Sequence, residues 1–299
     1  MKNQLKTIVL LGALSALLVG IGGAIGPQYL WIFTLLALGM NLFAYFFSDR
    51  LVLRMYGARE VSAAEAPELH AMVDELAATA GIPKPRVHLI ESEHANAFAT
   101  GRNPGHASVA VTTGLLSLLD RRELRGVLAH ELAHVRNRDI LVATVAAGLA
   151  TAVSHAAHAL AFAGLFGRSD ESDESPAGGL AFALLAPITA SLVQLGISRS
   201  REYLADETGA RLTGDPLALA GALEKLHGAA EALPARTEPA MASLFIVNPL
   251  AGLGGRLLGL FSTHPPAEER IRRLRAMTAQ ARRGGFSDAP MARARGLVR

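Results

Sequence analysis

The chain has 299 residues, of which 51% are hydrophobic and 18% charged, and its mean hydropathy of +0.29 points to a membrane protein with a soluble portion. Cysteine is absent, which excludes disulfide and thiolate chemistry and leaves histidine and carboxylate as the strong zinc ligands. The formal net charge is only +3, and the arginines near the end of the chain indicate a solvated tail at an anionic membrane surface more than a nucleic-acid interface.

Two apolar runs at the start of the chain predict a transmembrane hairpin over residues 1–50. The first run, about 8–26, carries no charge and follows Lys2 and Lys6, and the second run spans about 29–47. A cleaved signal peptide is the competing interpretation. We disfavour it because the first run is long for such a segment, has no clear small-residue cleavage site and is followed at once by the second run.

Residues 51–139 have the composition of a soluble domain, and we expect them to form the first part of a catalytic domain. Their pattern predicts an amphipathic helix over 62–80 and two short strands over 86–90 and 108–112, joined by a loop or hairpin. Between the strands lie four residues that could form an edge strand for an extended substrate: Asn96, Ala97, Phe98 and Ala99. Main-chain pairing at such an edge tolerates many substrate sequences. An ordinary strand and turn is the alternative.

The segment 123–139 contains His130-Glu131-Leu132-Ala133-His134, an H-E-x-x-H motif. On a helix the two histidines lie on one face and can bind a single metal ion. Glu131 would then reach a water molecule on that ion and act as the general base. The alternative is an ordinary amphipathic helix with paired surface histidines.

Two further apolar runs, about 140–166 and 179–197, predict a second transmembrane hairpin over residues 140–197. With four spans, lysine and arginine cluster on one side of the membrane and an acidic loop lies on the other. The positive-inside rule therefore places both termini and the motif helix in the cytoplasm. The third span carries His155 and His158, which we interpret as an inward-facing hydrogen-bonded pair, with a second metal site or a proton path as the alternative.

Residues 198–299 would form the second part of the catalytic domain. Glu202 follows the fourth span about as closely as His134 precedes the third, which makes it the best candidate for a third metal ligand. Asp206 lies one helical turn later and could accept a hydrogen bond from the far nitrogen of a ligand histidine. A solvated helix face paired with neighbouring arginines fits the same spacing.

Taken in order, these segments resemble the HtpX family of membrane zinc endopeptidases, which are bacterial relatives of the CAAX prenyl endopeptidases in the gluzincin group. Five stretches carry the resemblance: Asn96–Ala99, His130–His134, Ser198–Asp206, Leu244–Pro249 and Phe261–Ile271. Together with the four apolar runs, they cover nearly the whole chain up to about residue 280.

The resemblance implies one Zn²⁺ per chain, bound by His130, His134 and Glu202, with Glu131 as the general base. It also points to His264 as the residue that stabilises the oxyanion beside the metal. A histidine at a helix entry, held by the two prolines that follow it, is the alternative. Tyr203 is a weaker candidate for the same role, and a packing aromatic residue is the more favoured interpretation of it. The implied fold is α+β and mainly helical, with four transmembrane helices and a zincin-like catalytic domain that has a small β-sheet.

The implied function is hydrolysis of damaged or misfolded membrane proteins at the cytoplasmic face of the bacterial inner membrane, as part of quality control and the stress response. The lipid bilayer and protein substrates are the expected partners. A non-catalytic membrane scaffold or transporter subunit with a structural zinc is the alternative, and four protein ligands would close such a site. The oligomeric state stays open.

Overall fold

The computed structural model describes residues 11–12, 15–16, 19–20, 23, 26–146, 199–232, 245–247 and 265–283. These residues are mainly helical and contain one four-stranded mixed sheet, in agreement with the expected α+β class. Most of the first predicted span lies outside the described residues, as do the fourth span and the third span beyond residue 146.

One helix in the described part of the chain is long and apolar enough to cross a membrane. It is α1, Leu30–Met55, which follows a short turn of 3-10 helix and covers the second predicted span. Most of its large apolar side chains are exposed; Trp31, for example, is 64% exposed. The Asn41 side chain donates a hydrogen bond to Ser15 Oγ at 2.8 Å, so a helical residue of the first run lies against α1.

α1 extends eight residues beyond the predicted end at 47 because its last turns pack on the sheet. Val52 and Leu53 share a small buried cluster with Phe98, and the Tyr56 ring lies 4.9 Å from the Phe98 ring. The apolar helix and the sheet are therefore joined by direct packing as well as by the chain.

The sheet has the strand order β1-β2-β4-β3. Its strands are β1 (Arg59–Glu60), β2 (Arg86–Ile90), β3 (Ala97–Gly101) and β4 (Ala107–Thr112). The two predicted strands correspond to β2 and β4, but they pair in parallel and so do not form a hairpin with each other. The hairpin is made by β3 and β4, which pair antiparallel and leave β3 at an edge of the sheet.

Six further helices have both ends among the described residues: α2 (Pro67–Ala80), α3 (Thr113–Leu118), α4 (Arg121–Arg136), α5 (Arg199–Thr213), α6 (Pro216–Ala232) and α7 (Ala267–Arg283). Residues 140–146 begin another helix. α2 begins five residues later than predicted, because proline is favoured at the first helical position. α4 begins with a capping box, in which Asp120 and Glu123 each accept a hydrogen bond at 2.9 Å from the other's backbone amide.

The main core lies between one face of the sheet and the helices. Its fully buried members come from both parts of the domain and include Val73, Leu76, Val109, Val127, Leu128, Leu132, Leu219, Leu223 and Leu274. α4 runs through the middle of this core. The motif helix is consequently held on several sides by apolar packing, which fixes the side chains that it carries.

Candidate metal centre

The two motif histidines converge on one point. The Nε2 atoms of His130 and His134 are 3.2 Å apart, and their rings are almost perpendicular. His130 is only 1% exposed, so the alternative of paired surface histidines is wrong. One turn of α4 brings the two rings together, as the spacing predicts.

Glu202 reaches the same point from α5. Its carboxylate oxygens lie 3.7 Å from His130 Nε2 and 3.6 Å from His134 Nε2, and the three donor atoms all lie within 4.8 Å of one another. Glu202 and Asp206 are both 4% exposed, which rules out the solvated helix face. These three residues form the one group of potential metal ligands found among the described residues.

The close approach of α5 to α4 depends on Gly209. A Cβ atom at this position would lie 2.8 Å from His130 N and 3.0 Å from the carbonyl carbon of Ala129. Only a glycine lets the two backbones come this close. The helix that carries Glu202 therefore sits directly against the backbone of a motif histidine.

Each motif histidine has a carboxylate at Nδ1, the ring nitrogen that does not face the potential metal site. Asp206 Oδ1 lies 2.9 Å from His130 Nδ1, and both carboxylate oxygens of Asp139 lie 3.2 Å from His134 Nδ1. A proton on each Nδ1 leaves both Nε2 lone pairs directed at the same point. The 3.2 Å separation is close to that of two ligands of a tetrahedral ion with bonds of about 2.0–2.1 Å. The two nitrogens and one carboxylate therefore fit a zinc ion.

Glu131 lies beside this group and is itself buried. Burial raises the pKa of Glu131 to about 7, against the lowering effects of His134 and of the Ala99 amide. The amide of Ala99 donates to Glu131 Oε2 at 2.8 Å and fixes the position of the carboxylate. A carboxylate with a pKa near neutrality is suited to take up and return a proton.

The pKa of His134 leads to a prediction about metal binding. Burial alone would lower it, but the carboxylates of Asp139, Glu202 and Glu131 together outweigh that effect, and the pKa of His134 is raised to about 10. Burial lowers the pKa of His130. At pH 8 the metal-free protein thus carries a proton on His134 that a metal must displace, so zinc binding should release about one proton.

Titration calorimetry at pH 8 in two buffers of different ionisation enthalpy measures this proton. The Asp139→Asn variant is the matched comparison, because loss of this carboxylate, the largest of the three that raise the pKa of His134, lets that pKa fall and should reduce the proton release. A binding enthalpy that is the same in both buffers would contradict the prediction.

Two residues of the site were not predicted from the sequence. In the sequence, Asp139 ends the motif segment, and its position five residues after His134 is the feature that could have identified it as a partner of that histidine. Arg270 lies in α7, is 1% exposed and donates to both carboxylate oxygens of Asp206, at 2.8 and 2.7 Å. Burial alone would raise the pKa of Asp206, but Arg270 outweighs that effect and lowers it to about 2.

The predicted substrate segment lies next to the site. Ala97, Phe98 and Ala99 are in the edge strand β3, and Ala99 contacts Glu131 as described. Phe98 points to the opposite face of the sheet, against Tyr56. The Asn96 side chain accepts a hydrogen bond from the backbone amide of Ile246 at 3.2 Å.

The two candidates for oxyanion stabilisation differ in what the described residues show of them. The Tyr203 ring is covered by the guanidinium group of Arg273, whose Cζ lies 3.7 Å from the ring centroid, as expected for a packing aromatic residue. His264 lies outside the described residues, and so do His155 and His158.

Known proteins resemble the chain over nearly its full length. A model of peptidase family M48 matches residues 63–278. The proteins "Protease HtpX homolog" of Burkholderia mallei (strain SAVP1) and Burkholderia pseudomallei (strain K96243) are each 53% identical over 292 residues, which cover 96% of this chain and 100% of the relative. The crystal structure of S. mikatae Ste24p aligns with a TM-score of 0.49 and 20% identity, covering 91% of this chain and 64% of that chain.

The M48 match includes all three potential metal ligands, and the relatives agree with the resemblance expected from the sequence motifs. The chain therefore belongs to peptidase family M48, among its HtpX proteases, and is a metalloprotease rather than a non-catalytic scaffold.

Proposed function

We propose that this metalloprotease is a zinc endopeptidase of the bacterial inner membrane that hydrolyses damaged or misfolded membrane proteins at the cytoplasmic face. The observation that carries the proposal is the group of three converging donors, His130, His134 and Glu202, with the buried carboxylate of Glu131 beside it. His130 and Glu202 are buried, and His134 is partly buried. Three protein ligands leave a zinc ion one position for water or substrate, as catalytic zinc sites do.

When bound, the zinc ion would lower the pKa of a water molecule and polarise the carbonyl of the scissile peptide bond. Glu131 takes the proton of that water and then delivers it to the leaving amine, while the Ala99 amide holds its carboxylate in place. Asp206 and Asp139 keep the two histidines in the tautomers that present Nε2. We retain His264 as the residue that stabilises the oxyanion.

The substrate would bind as an extended strand along β3. The outer side of this edge strand faces Glu131, since the Ala99 amide points there and away from β4. Alternate residues of a strand share this orientation, so the main chain of Ala97 and the carbonyl of Ala99 would pair with the substrate, whereas the Ala99 amide is used by Glu131. Pairing through the main chain would give the broad specificity that removal of damaged proteins needs.

We place the catalytic domain at the membrane surface, with both termini in the cytoplasm and a catalytic part divided into 51–139 and 198–299. Three features support this arrangement. First, α1 carries exposed apolar side chains and packs directly on the sheet. Second, a new helix begins at Ile140, immediately after Asp139. Third, the basic residues of the sequence flank the predicted spans on one side. The inserted segment 140–197 would be the second hairpin.

Removal and return of zinc in proteoliposomes tests the proposal. The purified protein is reconstituted with an unfolded membrane protein, a folded membrane protein and unfolded casein as substrates. We expect a chelator to abolish cleavage, stoichiometric zinc to restore it, and the unfolded membrane protein to be cleaved fastest. Cleavage that persists with no bound metal would contradict the zinc mechanism, and faster cleavage of casein would contradict the substrate class.

A further inference from the structure

Arg270 is the largest fully buried side chain in the described part of the chain. A buried charge is costly unless other charges and acceptors compensate it. Here Nε and Nη2 form a two-point contact with the Asp206 carboxylate, at 2.8 and 2.7 Å. A lysine cannot reproduce such a fork, because its ammonium group is a single point charge.

The contact with Asp206 extends to the metal ligands. The carboxylate oxygen that Nη2 contacts, Oδ1, also lies 2.9 Å from His130 Nδ1. Nη2 itself lies 3.5 Å from both ring nitrogens of His130, and Nη1 is 3.9 Å from Glu202 Oε2. The guanidinium group therefore fixes the plane of the carboxylate that orients one ligand, and it lies beside a second ligand.

The remaining contact of Arg270 leads away from the metal. Nη1 donates to the backbone carbonyl of Ile246 at 2.7 Å, and the backbone amide of Ile246 donates to Asn96 Oδ1 at 3.2 Å. Asn96 directly precedes the edge strand β3. A continuous series of polar contacts thus runs from the start of the edge strand through Ile246, Arg270 and Asp206 to His130.

We propose that Arg270 is a positioning residue that couples the metal centre to the segment 245–247 and to the edge strand. The proposal rests on the proposed function in one respect, the binding of zinc by the three ligands. Loss of the contact between Asn96 and Ile246 should weaken the binding of zinc, because that contact supports Arg270 through the carbonyl of Ile246. A change at the start of the edge strand β3 would then alter the binding of zinc at the metal centre.

The rate at which zinc is released to a chelator tests this coupling in the full-length protein in detergent. We expect about tenfold or faster release from Arg270→Lys, a range typical for residues behind metal ligands, and a several-fold increase from Asn96→Ala. The double variant should release zinc no faster than Arg270→Lys alone, because both changes break the same series of contacts. Arg272→Met is the matched control: its side chain is 75% exposed on the same helix, and release should be unchanged.

An Asn96→Ala variant that releases zinc at the wild-type rate would overturn the proposal. The proposal would also be overturned if the increase in release rate in the double variant equalled the product of the increases in the two single variants. Asn96→Ala leaves the contact between Arg270 and Asp206 in place, so it decides the question alone if Arg270→Lys does not fold. Zinc release is measured without any substrate. Failure of the proposed function appears differently, as a wild-type protein that binds no zinc or that binds zinc and cleaves nothing.

Discussion

The Glu131→Gln variant is expected to keep about one zinc ion per chain and to lose peptide cleavage by about 10³-fold or more. The amide oxygen of glutamine can still accept the hydrogen bond that the Ala99 amide donates at 2.8 Å, so the side chain stays in position. Glutamine cannot take up the proton of the attacking water, whereas a carboxylate whose pKa is about 7 can. Metal content by mass spectrometry and cleavage of casein measure the two properties.

A surface glutamate provides the control for this substitution. Glu75 lies on α2, its side chain is 61% exposed, and its ion pair with Arg125 is of the kind that contributes little to stability. Glu75→Gln should keep both zinc and cleavage. Glu131→Gln that cleaves as fast as the wild type would remove Glu131 from the mechanism, and loss of zinc in this variant would make its role structural.

The Gly209→Ala variant is expected to lower the free energy of unfolding by about 1–3 kcal/mol, the usual cost of overpacking a tight contact. The added methyl group would lie 2.8 Å from His130 N, and a backbone atom cannot rotate away. α5 must therefore move away from α4. Since α5 also carries Glu202 and Asp206, weaker zinc binding should accompany the loss of stability.

Gly228→Ala is the matched substitution on α6. A Cβ atom there would have no neighbour within 4 Å, so the change should raise stability by about 0.5–1 kcal/mol through the better helix propensity of alanine. Thermal unfolding in detergent, with zinc and with chelator, compares the two variants. Equal midpoints, or a Gly209→Ala protein that binds zinc as the wild type does, would show that the close contact is not required.

The sequence predicts the parts of this protein that depend on local spacing. His130 and His134 converge because one helical turn separates them, and the strand at 86–90 was found with its predicted bounds. Glu202 could be inferred because an even number of predicted spans would return the chain to the side of the membrane on which His134 lies. Asp206 then follows from the period of the helix.

The contacts that were missed depend on tertiary packing. Arg270 follows Asp206 by 64 residues, and nothing in its local sequence distinguishes it from the exposed arginines of the same helix. The parallel pairing of β2 with β4 is also non-local, because a strand pattern predicts which residues are extended but does not predict the neighbouring strand. α2 begins at Pro67 because proline is favoured at the first helical position, whereas the apolar periodicity alone predicts a start at residue 62.

The order of the site along the chain has a consequence for biosynthesis. Arg270 follows His130 by 140 residues, and Glu202 lies between them in the sequence, 72 residues after His130. At about 5–20 residues per second, a ribosome needs roughly 7–28 s to pass from one to the other. During that interval the growing chain has its motif helix but lacks the third ligand or its support. The order of synthesis therefore delays assembly of the metal site until almost the whole protein has been made.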